Sequence, residues 1–117
     1  MKSLLSACFA LALAAAVPAE AASTALEQSR AISTDLKASM NEMTEASKAG
    51  DMKRACAASR RSVDLLDQYI VKFKEIRDAN KSADADKLAE ADLMHAKLSN
   101  QHTELKGLSD AICAKAG

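Results

Sequence analysis

The chain has 117 residues, with 16 Lys and Arg against 16 Asp and Glu, and an apolar fraction of 49%. That length fits one small domain. The balanced charge removes the basic footprint of a nucleic-acid binder, and the apolar content is too high for a disordered chain.

The first segment reads as an address. Lys2 precedes an apolar run from Leu4 to Val17, and Pro18-Ala19-Glu20-Ala21 ends it with small residues at an A-x-A site. This is the pattern of a secretory signal peptide, residues 1–21, cleaved after Ala21 to leave a 22–117 domain. A stable membrane anchor would need roughly 20 apolar residues, more than the run supplies. Leu5-Ser6-Ala7-Cys8 has the residue order of a lipoprotein processing site, but the apolar region lies after the cysteine rather than before it. Cys8 therefore counts as a small apolar residue of the discarded segment.

The remaining chain holds no Pro, three Gly and, as aromatics, only Tyr69 and Phe73. A sandwich or barrel needs β-branched and aromatic runs punctuated by Gly and Pro. The expected fold is all-α, an up-down-up bundle of three long antiparallel helices. Helix 1 is expected to open with a capping box at Thr24-Ala25-Leu26-Glu27. Its stripe is Leu26, Ser29, Ser33, Leu36, Met40, Met43 and Ser47, widened by Ile32, Ser39 and Ala46. Gly50 ends it in a left-handed conformation, and Asp51 caps helix 2.

Helix 2 carries the stripe Cys56, Ser59, Val63, Leu66, Ile70, Phe73 and Arg77, out of register with helix 1, and fades through Asn80-Lys81-Ser82-Ala83-Asp84. Helix 3 runs from about Asp84 to Ala116. It presents Leu88, Ala91, His95, Leu98, His102, Leu105, Ser109 and Ile112, with Met94 and Leu108 alongside and Gly107 in its interior. Short links make neighbours antiparallel. Abundant alanine lets the helices approach closely while each layer buries little area.

Cys56 and Cys113 remain after cleavage. Export places them in an oxidising compartment, where an even pair is normally bridged. Both fall near the same end of an up-down-up bundle. A bridge would close a loop of 57 residues, worth roughly 4 kcal/mol on the chain-entropy model. Redox catalysis favours Cys-X-X-Cys at a helix start, which this spacing is not.

His95 and His102 are the only histidines. Seven residues apart, they share one face of helix 3 but are separated by about 10.5 Å along the axis, too far to ligate one metal ion. A haem held by one of them with a Met from a facing helix is the form such chemistry would take. Counting outward from the turns puts His102 level with Met40 and His95 level with Tyr69. A partly buried, hydrogen-bonded histidine is the plainer expectation. Covalent haem attachment is excluded because no Cys-X-X-Cys-His is present.

Lys53, Arg54, Arg60 and Arg61 cluster early in helix 2, but Asp64 and Asp67 follow, and no aromatic platform exists for stacking bases. They read as a solvated face. Met40, Met43, Met52 and Met94 read as core filler. No nucleophile with its base, paired carboxylates or phosphate-binding loop is apparent, so no enzyme and no cofactor is expected. The chain reads as a periplasmic or secreted, non-catalytic interaction, adaptor or stress-related binding module. Its partner is another protein or a second copy of itself, with no nucleic acid. The alternative is a haem, metal or small-molecule carrier using His95 or His102.

Overall fold

The computed structural model describes residues 19–80 and 84–117. The leader read over residues 1–21, Cys8 included, therefore lies almost entirely outside the described residues. The described chain is all-helical: α1 (Ala19–Lys48), α2 (Met52–Ala79) and α3 (Ala85–Ala116), with no strand among the described residues. The three helices pack into a rod 49 Å long. No helix among the described residues is long and apolar enough to cross a membrane.

The α1–α2 turn forms as the local sequence dictates. Gly50 has φ +76°, a conformation a Cβ would oppose. The Asp51 N–H donates to the Ala46 carbonyl at 2.9 Å and the Gly50 N–H to the Ser47 carbonyl at 3.2 Å. That pair of bonds satisfies the last carbonyls of α1. Asp51 then serves the next helix, its carboxylate accepting from the Arg54 N–H at 3.2 Å. Asp84 caps α3 in the same way, through the Lys87 N–H at 2.9 Å. Thr24 does not act as the expected N-cap. The helix already begins at Ala19, because the Ala-rich stretch before Thr24 has high helix propensity and nothing in it stops the helix.

The seams also differ from the sequence pattern. On α1 the buried positions are Ala25, Ser29, Leu36, Ser39, Met43 and Ala46, whereas Ser47 is exposed. Of the residues expected to widen the stripe, Ser39 and Ala46 are fully buried beside Ser29, Leu36 and Met43, while Ile32 is only partly buried. On α2 the expected stripe is present, and a second buried set, Ala55, Ala58, Ser62, Tyr69 and Ile76, lies beside it. The two sets are offset by one residue, about 100° around the axis, because α2 is the middle helix and must bury two faces. On α3 the stripe holds, but Leu108 is 41% exposed.

Cross-helix pairs fix the directions. Ser39 meets Ser62 and Glu42 meets Arg54 and Arg61 across α1–α2. Ser59 meets Ser109 and Arg77 meets Asp92 across α2–α3. Both pairs of neighbours are antiparallel. Among the described residues no Cα of α1 comes within 8 Å of a Cα of α3, so each outer helix makes its close backbone approach to α2.

Candidate functional site

The chemistry-bearing residues fall into two places. The first lies beside the α1–α2 turn, where the fully buried residues of α2 are all Ala or Ser: Ala55, Ala58, Ser59 and Ser62. Such small side chains let the backbones close in, and Cys56 and Cys113 stand with their Cα atoms 4.7 Å apart and their sulfurs at bonding distance. Both cysteines are half-buried.

Two hydroxyl bridges flank them. Ser59 Oγ donates to the Cys56 carbonyl at 2.8 Å, which uses its only hydrogen, so in the 2.8 Å contact between them Ser109 must donate to Ser59. Ser39 and Ser62 are 2.8 Å apart and both reach the Ala58 carbonyl at 2.9 Å. One of them therefore donates to the other, which passes its own hydrogen to that carbonyl. Burying an unpaired hydroxyl costs about 1–3 kcal/mol, and these pairings avoid that cost. One bridge ties α1 to α2 and the other ties α2 to α3.

The basic cluster lies at the surface. Arg54 Nε and Arg61 Nη1 both donate to Glu42, each at 3.4 Å, spanning α1–α2. Lys53 and Arg60 stay exposed. All four stay on the solvated face, and two of them, Arg54 and Arg61, also reach across the rim of the α1–α2 interface.

The second place is the α2–α3 groove, which holds both histidines, half-buried rather than in the core. His95 lines an open hollow of about 220 Å³ with Phe73, Lys74, Arg77, Asp78 and Asp92. Arg77 donates twice to Asp92, at 3.0 and 3.3 Å. This hydrogen bond, with the charges of Asp92 and Asp78, holds the guanidinium above its ordinary pKa. His102 lines a separate hollow of about 360 Å³ with Arg60, Val63, Asp67, Lys106 and Asp110.

His102 on α3 and Met40 on α1 belong to the two helices whose backbones do not come within 8 Å of each other among the described residues. Phe73, about a turn along α2 from the Tyr69 level that counting implied, lines the hollow of His95, while the hollow of His102 runs along α2 from Arg60 to Asp67. Met40, on α1, packs against the core and belongs to neither hollow. The shift at His95 arises because α2 and α3 align by side-chain packing, not by distance from their connection. Among the described residues no group of three or more His, Cys, Asp or Glu could hold a metal ion.

Sequence reasoning missed both hydroxyl bridges and the Arg77–Asp92 pair. The run of Ala and Ser at Ala55, Ala58, Ser59 and Ser62 was the available signal for the bridges, since small residues on adjacent faces mark a helix approached from two sides. No known family model, curated protein or solved structure matches the chain.

Proposed function

We propose that the chain is an exported, non-catalytic helical module. Its leader is removed after Ala21, and its mature form, 22–117, is a disulfide-clamped up-down-up bundle in the periplasm or outside the cell. Its role is to engage another protein or a second copy of itself. The observation that carries this reading is the juxtaposition of Cys56 and Cys113 from distant parts of the chain. Together with an N-terminal run of secretory type, it fits a domain matured where thiols oxidise. Both hollows are open and mixed in charge, with no assembled ligand set, which suits a binding surface better than a reaction centre.

The test is the intact mass of the protein purified from the exported fraction. The expected species begins at Ala22 and is lighter than its reduced form by the two hydrogens lost on oxidation. A full-length, fully reduced chain retained in the cytosol would overturn the reading. Crosslinking in the same compartment, with light scattering on the purified protein, separates a foreign partner from self-association. A visible haem absorption band in that preparation would favour the carrier reading with His95 or His102 instead.

A further inference from the structure

We propose that the Cys56–Cys113 pair is a redox latch on a detachable arm. When the bond is reduced, the end of α3 beyond Gly107 comes away from α2 while the rest of the three-helix core stays folded. The inference uses the oxidised pair of the proposed function but does not depend on export or on any partner.

Three observations carry it. Beyond Gly107, α3 buries only Ser109 and Ile112, while Leu108 is 41% exposed and Asp110, Ala111, Ala114 and Lys115 face solvent. An isolated helix shorter than about 12–15 residues is marginal in water, so this segment depends on what ties it down. Second, the backbone of α3 closes only on α2, whereas the start of α2 is also held by α1, through Ser39–Ser62 and Arg54–Glu42. Once the bond is gone, α3 is therefore the partner that leaves.

Third, Gly107 sits at the break without a packing reason. It is exposed, and a Cβ built on it would meet nothing within 4 Å. No neighbour requires a glycine there, yet glycine weakens a helix interior. It marks the point at which the helix parts most readily.

The chemistry balances with a dithiol reductant. One of its thiolates attacks a sulfur of the half-buried pair, the S–S bond breaks, and a mixed disulfide forms. The second thiol of the reductant displaces it. The reductant leaves as a cyclic disulfide, and Cys56 and Cys113 each gain one electron and one proton.

The experiment is residue-resolved amide hydrogen exchange on the full chain, prepared in vitro in oxidised and dithiothreitol-reduced forms. Because both states are made in the tube, a failure of the export reading leaves this result untouched. On reduction, amides from Ser109 to Ala116 should lose protection by at least ~10-fold, with those of Leu66–Ile76 and Ala91–Leu98 unchanged. In the reduced protein Gly107→Ala should suppress that opening about fivefold. Equal loss of protection along the whole chain, no loss anywhere, or an arm indifferent to Gly107→Ala would each overturn the proposal. The first arm of the test needs no substitution, so it does not depend on whether a variant folds.

Discussion

The two halves of α2 are built on opposite principles. From Leu66 to Ile76 the helix buries Leu66, Tyr69, Phe73 and Ile76, each at most 3% exposed. From Ala55 to Ser62 it buries only Ala55, Ala58, Ser59 and Ser62. Full burial of a large apolar side chain contributes about 1.5–3 kcal/mol, and an alanine methyl nearer 0.8 kcal/mol. The first half therefore lacks the apolar area that holds the second together. In its place stand close backbone approach, two hydroxyl bridges and a pair of cysteines at bonding distance. On α2, one half is held by its own buried area and the other by directional and covalent links.

The largest expected effect lies in the area-rich half. Phe73→Ala should cost about 4 kcal/mol, read from the urea midpoint, because it removes a fully buried ring and leaves a void in the core. A loss under 1 kcal/mol would mean the two halves do not differ as described. In the lean half the corresponding change runs the other way. Ala58→Leu should destabilise by roughly 2 kcal/mol through overpacking, since the Ala58 carbonyl lies against Ser39 and Ser62. A stabilised variant would show that this end is loosely filled rather than closely packed.

Smaller effects sharpen the contrast. Ser59→Ala should cost about 1–2 kcal/mol because Ser109, 3% exposed, loses its acceptor. The double change Ser59→Ala with Ser109→Ala should recover much of that loss. A double-mutant cycle without coupling would remove the bridge from the account. Gly50→Ala should cost roughly 1 kcal/mol for the left-handed backbone alone, since a Cβ there meets nothing within 4 Å. Least of all, Glu42→Gln should shift stability by about 0.5 kcal/mol or less. The shift should vanish in high salt, because both of its arginine partners are solvent-exposed.

Much of the fold was legible in the amino-acid order. The α1–α2 turn was written in Gly50-Asp51, the start of α3 in the polar stretch ending at Asp84, and the contact face of α3 in the spacing from Leu88 to Ile112. The candidate site was legible in part. The cysteines could be placed at one end of a bundle from topology, but the hydroxyl bridges beside them could not. Serine at a helical position reads equally as a solvated residue, a backbone-bonded one or half of a bridge.

What the sequence determined alone was local: helix type, the left-handed stop and the acidic caps, all of which are satisfied within a few residues of the chain. Three things waited for the packed structure: that α2 is the middle helix with two buried faces, that Ser39 and Ala46 rather than Ser47 face it, and that α3 slides about a turn past its counted register to set His95 by Phe73. Axial and rotational alignment between helices carries no local energy. It is decided only when side chains from separate helices compete for the same volume, and that competition cannot be read along one chain.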